Sequence, residues 1–458
     1  MSLRMPVTVR TLLPWILGTA LVFVTLIALD RGVLHTGVLT PFRGLEPLSP
    51  LYAFWAPVFR PGAVIFVLLA LSRVFLIPRL IGPRVTTPGF AAGLLIMSLA
   101  LPPALFLVRD DPVALGSQFL IYPGEEYFDD ARRIVDLKAF IRHHTELAPQ
   151  LSLHGRTHPP GFAAFLSIVG GIAGPSPVAA GVAVLLVFAA GTLLAWRAFT
   201  LVLDQRAARI AALLLLAAPS LLDFACTSMD AVFFAAACLV LLFLFRSLSD
   251  AARWWHGVLT GLALYVAMFC SFSAAPLGLF VALYGAVFWQ ERRSRQVPLQ
   301  LSIAFVSFLA AYAAVRYGAG FDLWESFRVA RVQNDEIMGA AMGRSAVGGY
   351  VPTTLGNIGA FLIGTGLAIV PLFARGVRRA LEAPGQRTLF LATSATLVVI
   401  CAGGLYTLET ERILMFAMPW LAVSAAAAAP LSDSAVVLVM GAGWVQAFAM
   451  EMFLFTLW

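Results

Sequence analysis

The feature that most constrains this chain is a succession of apolar runs, each close to bilayer length, separated by short stretches rich in arginine. About 20 consecutive apolar residues cross the hydrocarbon core as a helix, because each backbone N–H and C=O must find its partner within the segment. Such runs fall at 11–29, 62–78, 87–108, 177–197, 207–222, 229–246, 254–271, 273–290, 299–316, 353–374, 388–406, 413–429 and 434–456. The spacing predicts an all-α polytopic membrane protein with about 13 transmembrane helices. The apolar segment 161–174 is too short to span and suits a half-membrane or interfacial position.

Composition supports this reading. Hydrophobic residues make up 60% of the chain and charged residues 12%, against roughly 25% charged in a soluble protein. A soluble enzyme, a disordered chain and a nucleic-acid-binding protein are excluded. The net charge of +7 is carried by arginine, with Lys138 the single lysine. In a polytopic protein such an excess marks cytoplasmic loops. Placing Arg4 and Arg10, Arg79 and Arg84, Arg197, Arg206 and Arg209, Arg246 and Arg253, Arg292, Arg293 and Arg295, and Arg375, Arg378, Arg379 and Arg387 inside leaves 109–160 and 317–352 outside. The first run lacks a small-residue cleavage site and is read as a span. Cys226, Cys238, Cys270 and Cys401 lie in or beside apolar runs without CxxC spacing, as packing residues do. The chain reads as one integral membrane domain, 1–458, with two outside loops, and chemistry is expected on those loops.

Loop 109–160 concentrates 14 charged residues and four of the six histidines. Its stretch GEEYFDDARRIVDLKAFIRHH has helical apolar spacing with acids at the start and Arg142, His143 and His144 at the end, as a helix dipole favours. Glu125, Glu126, Asp129 and Asp130 could thus be simple N-terminal decoration. Yet Glu125 with Asp129 and Glu126 with Asp130 are like-charge i, i+4 pairs, each unfavourable by a few tenths of a kcal/mol. Four carboxylates crowded beside a membrane cavity are a natural source of a raised pKa and a general base. The stretch LHGRTHPPGF follows. Pro159 and Pro160 suit the first turn of a helix, so the motif opens segment 161–174 and presents His154, Arg156 and His158 near the bilayer. A lone loop histidine is usually just solvated, and His154 carries little weight.

These two elements together resemble the GT-C superfamily of polytopic glycosyltransferases, nearest the protein O-mannosyltransferases, aminoarabinose transferases and RgtA/B/C/D-like enzymes. LLDFACTSMDAVFFAAACLVLLFL resembles that family's turn with an Asp entering the next span, here Asp230. The likeness covers roughly 109–250. Two features depart from it: the acidic pair is Glu125-Glu126 in place of Asp-Glu, and it follows three apparent spans in place of one.

The resemblance implies sugar transfer from a polyprenyl-phosphate-linked donor to a lipid, polysaccharide or protein acceptor on the non-cytoplasmic face of the plasma membrane. One of Glu126, Glu125, Asp130 or Asp129 would be the base. Arginines would hold the donor phosphate, since a guanidinium binds phosphate bidentately; the candidates are Arg412, Arg344 and Arg331, with His158, Arg156 and Asp230 nearby. No cofactor is required, although a divalent cation has a place in some members. Membrane lipids are the other expected partners and nucleic acid is not one. The competing readings are a transporter or lipid flippase, which would show internal repeats and broken, charged spans, and a GT-C-shaped scaffold that has lost its base.

Overall fold

A computed structural model describes residues 7–31, 44–111, 115–120, 124–346, 350–383, 385–403, 406, 409–428 and 430–456. The chain is an all-α polytopic membrane protein. Nine helices among the described residues are long and apolar enough to cross a bilayer, and three more apolar helices are shorter.

Helices α2 (Ala63–Ile81) and α3 (Thr87–Phe106) pack together as a first layer, while α1 (Val9–Leu29) lies against helices from the C-terminal part of the chain. Their outward faces keep large apolar side chains such as Leu21 and Phe75 exposed, as a lipid-facing surface requires. Strands β1 (Glu46–Pro47) and β2 (Ala53–Trp55) form an antiparallel pair between α1 and α2, and β3 (Leu454–Thr456) adds to β2. This small sheet ties the first layer to the C-terminus at the end of the bundle that carries 109–160.

That connection contains α4 (Tyr127–Ala131), α5 (Leu137–Leu147), α6 (Leu153–Thr157) and α7 (Gly161–Ala173). The helix begun by the HPP turn is therefore 13 residues long. The bundle continues with α8 (Pro177–Phe199), α9 (Gln205–Leu215), α10 (Pro219–Asp223), α11 (Asp230–Ser247), α12 (Trp254–Cys270), α13 (Ala274–Arg292) and α14 (Gln296–Ala319). It closes with α15 (Leu323–Ala346), α16 (Tyr350–Glu382), α17 (Gln386–Ala402), α18 (Thr410–Ile413), α19 (Met418–Ala428) and α20 (Asp433–Phe453). At the core α11 packs between α8 and α12, while α19 packs between α16 and α9.

One expectation needs correcting. The run 207–222 is not one helix: α9 stops at Leu215 and α10 restarts at Pro219. Proline lacks the N–H that would continue the ladder and drives the preceding residue out of the α region; Ala218 has ψ 121°. Trp444 Nε1 donates to the Leu216 carbonyl at 2.6 Å, satisfying one acceptor freed by the break. The described part of 317–352 is mostly helical. Gly320, at φ 78°, ends α14 in the left-handed region. Asp322 Oδ1 then accepts from Trp324 N (3.0 Å) and Glu325 N (3.2 Å), starting α15, which packs over α5 and α6.

Helix α16 is interrupted inside the bundle at Gly366 (φ 83°, ψ 179°). Gln446 of α20 seals the gap: its Oε1 accepts from Leu367 N and its Nε2 donates to the Ile363 carbonyl, both at 2.8 Å. A buried break survives only when its freed groups are paired in this way.

Candidate functional site

The acidic stretch is folded against α6 by its own backbone and carboxylates. His154 N donates to the Glu125 carbonyl (3.1 Å) and Leu153 N to the Gly124 carbonyl (3.0 Å). Asp130 accepts from Ser152 N at 2.9 and 3.2 Å and from Ser152 Oγ at 2.6 Å. A Cβ on Gly155 would lie 2.0 Å from Asp130 Oδ2, so this approach requires glycine. Asp129 accepts from Gly124 N (2.7 Å) and pairs with Arg132 (2.5 Å). Beneath them α4 packs on α7, and α7 is seated so closely on α12 that a Cβ on Gly161 would meet the Phe269 carbonyl at 2.3 Å.

The four carboxylates thus divide. Asp129 and Asp130 are buried and engaged in holding the loop. Glu125 is half-buried, with its carboxyl raised by burial and by the negative charge of Glu409. Glu126 occupies the residue before α4, is 5% exposed, and its Oε1 has no hydrogen-bond partner among the described residues. Burial pushes its carboxyl up to about 8; Arg412 pulls the other way, and Glu409, Glu125 and Asp129 add to the rise.

Arg412 lies in α18, buried, close enough for its charge to act on Glu126. Its Nη1 pairs with Asp230 Oδ2 at 2.9 Å and contacts Ser228 Oγ at 3.2 Å; its Nη2 pairs with Glu409. Asp230 opens α11, where the helix dipole favours an anion, and accepts from Ser228 Oγ at 2.8 Å. Opposite this pair, Tyr127 stacks on His154 (centroids 5.4 Å apart) and meets His158 and Phe162 edge-on at 5.7 and 5.2 Å. His158 Nδ1 shares hydrogen bonds with Thr157 Oγ1 and the His154 carbonyl. Burial holds His158 down to about 4, partly opposed by Asp230, so the imidazole is neutral at pH 7.

The structure therefore brings Glu125, Glu126, His158, Asp230 and Arg412 to one place, with Asp129 and Asp130 bracing the loop behind them. Arg331 is exposed on α15 and Arg156 is half-buried on α6, two residues before His158; among the described residues neither forms an ion pair. An exposed guanidinium on a solvated helix gains more from water than from a distant cleft. The Arg344 side chain lies outside the described residues. The sequence reading passed over Tyr127, Ser228 and Glu409. Glu409 and Ser228 carried a signal in hindsight, as polar residues three before Arg412 and two before Asp230. His154, given little weight, is a buried stacking partner.

Among the described residues no group of three or more His, Cys, Asp or Glu side chains is placed to hold a metal ion. An apolar cavity of about 470 Å³ lies between α12, α13 and α14, lined along its length by residues from Met268 and Ala274 to Trp289 and Pro298. Its Ala274 end is one residue from Ser273, whose hydroxyl bonds Tyr406, itself within reach of the Asp230 charge.

Among solved structures, the chain is similar to ArnT from Cupriavidus metallidurans bound to undecaprenyl phosphate: 16% identity, TM-score 0.45, 74% of this chain and 60% of that one. It is also similar to the Archaeoglobus fulgidus oligosaccharyltransferase AglB in complex with an inhibitory peptide and a dolichol-phosphate: 13% identity, TM-score 0.42, 69% and 52% covered. The same archaeal enzyme tethered to an acceptor peptide gives 12% identity, TM-score 0.48, 80% and 55%. The chain thus spans little more than half the length of these solved proteins. No curated protein matches it. Residues 157–316 match the family model described as dolichyl-phosphate-mannose-protein mannosyltransferase. That match begins at the HPP turn and does not reach the acidic stretch.

Proposed function

We propose that this protein is a membrane glycosyltransferase that moves a sugar from a polyprenyl-phosphate-linked donor to an acceptor on the non-cytoplasmic side of the plasma membrane. The observation that carries the reading is a buried carboxylate with a free oxygen, Glu126, within electrostatic reach of a guanidinium, Arg412, that Asp230 holds in place. Transfer needs a proton acceptor for the incoming nucleophile and a cation for the departing phosphate. In this scheme Glu126 takes the acceptor proton as the acceptor attacks the anomeric carbon. The bond from that carbon to the phosphate oxygen breaks, and the electron pair stays on the phosphate beside Arg412. A carboxyl titrating near 8 is partly ionised at neutral pH and well matched to such a transfer.

Two further features support the reading. His158, half-buried against Tyr127, offers a flat, neutral ring beside Asp230 and Arg412, suited to a sugar ring. The apolar cavity along α13 leads away from Ser273 and suits part of a prenyl chain. A transporter is less well supported: α16 is broken, but Gln446 closes the break.

The test is transfer by the purified chain in proteoliposomes, using polyprenyl-phosphate sugars. Glu126→Gln should abolish transfer while leaving donor binding, and Arg412→Ala should weaken both. Wild-type rates in Glu126→Gln would remove Glu126 as the base.

A further inference from the structure

Both terminal nitrogens of Arg412 are occupied by carboxylates, Nη1 by Asp230 and Nη2 by Glu409. We infer that Glu409 is a stand-in for the donor phosphate, holding Nη2 of Arg412 in the empty enzyme and leaving it when the lipid phosphate arrives. This rests on the phosphate role proposed above for Arg412.

The two carboxylates on Arg412 are not equivalent. Asp230 is fixed at the first turn of α11, where the helix dipole favours it, and its carboxylate accepts from both Ser228 and Arg412. Its backbone N–H also donates to Ser228 Oγ at 3.2 Å. Glu409 sits at φ 62° and ψ 21°, a left-handed conformation that a non-glycine residue holds at a cost of order 1 kcal/mol or more. Its negative charge also bears on both Glu125 and Glu126, raising their carboxyls. A strained anion among other anions, joined to one arginine, is the partner that gives way. For the donor, a singly charged phosphodiester, the exchange leaves the charge at the guanidinium nearly unchanged, whereas free undecaprenyl phosphate, a monoester, brings more negative charge. It also keeps Nη2 of Arg412 paired between turnovers while Asp230 holds Nη1.

The experiment is binding of undecaprenyl phosphate to the full chain in detergent, followed by tryptophan fluorescence, for wild type, Glu409→Gln, Glu409→Gly and Arg412→Ala. If the pair is closed in nine molecules of ten, removing the carboxylate tightens binding about ten-fold. Glu409→Gly should do so while unfolding at a temperature no lower than wild type, because glycine accepts the positive φ. A residue that merely positioned Arg412 would give weaker binding when removed, so the direction of change separates the two roles. Equal or weaker binding in both Glu409 variants, with binding lost in Arg412→Ala, overturns the exchange and leaves the function standing. Wild-type affinity in Arg412→Ala overturns the phosphate site itself, and the exchange with it.

Discussion

Glu126→Gln should make the protein more stable at neutral and alkaline pH while removing its activity. The carboxyl titrates at 4.5 when free and at about 8 in the fold, because burial disfavours its charged form. Below pH 4.5 both folded and unfolded chains carry the proton and the group is neutral to stability. Between 4.5 and 8 the folded state holds a proton that the unfolded state has released, so stability falls as pH rises. At about 1.4 kcal/mol per pH unit, the accumulated penalty is about 3 kcal/mol at pH 7 and about 5 kcal/mol above pH 8, as upper values. Glutamine has nearly the same volume and no charge at any of these pH values, so it escapes the penalty. Apparent unfolding temperatures of wild type and variant in one detergent, from pH 4 to 9, should coincide at the acid end and separate progressively with the variant higher. A constant difference across that range, or a variant less stable at pH 8, would refute the claim that Glu126 is ionised against its environment. The same substitution should lower transfer by roughly 10²–10⁴, as loss of a general base does.

Transfer by the wild type should rise with pH along a limb centred near 8, because the base must be ionised to accept a proton; a limb near 4.5 would mean that an exposed carboxylate does the work. Gly155→Ala places a methyl group 2.0 Å from Asp130 Oδ2 and should destabilise the chain by about 1–3 kcal/mol, seen as a lower unfolding temperature and earlier proteolysis within 124–157. Asp130→Asn turns an acceptor of Ser152 into a group that also donates, and should lower stability by about 1–3 kcal/mol while leaving undecaprenyl phosphate affinity within about two-fold. A cysteine at position 383 should react with an impermeant maleimide only after the cytoplasmic side is opened; labelling of intact cells would reverse the proposed sidedness.

Much of the architecture was legible in the sequence because the bilayer imposes its rule segment by segment. Any run of sufficient length and apolarity must be helical whatever its neighbours do. The start of α7 could be read from Pro159 and Pro160 for the same local reason, since proline acts on its own turn. The misreading arose where local rules compete. Pro219 divides an apolar run into α9 and α10.

The site was legible only as a set of residue types. Four carboxylates within six positions look alike in sequence, and their roles diverge through partners far along the chain. Ser152, 22 residues away, occupies Asp130; Arg412, reached from the other end of the protein, acts on Glu126. The contact between Arg412 and Ser228 spans 184 residues. The sequence by itself determined that the chain lives in a membrane and where its helices run, because hydrogen bonding and apolar burial act within each segment. Which carboxylate keeps an oxygen free, and which arginine faces it, was decided only by the tertiary structure, because desolvation and ion pairing depend on what packing brings within a few ångströms.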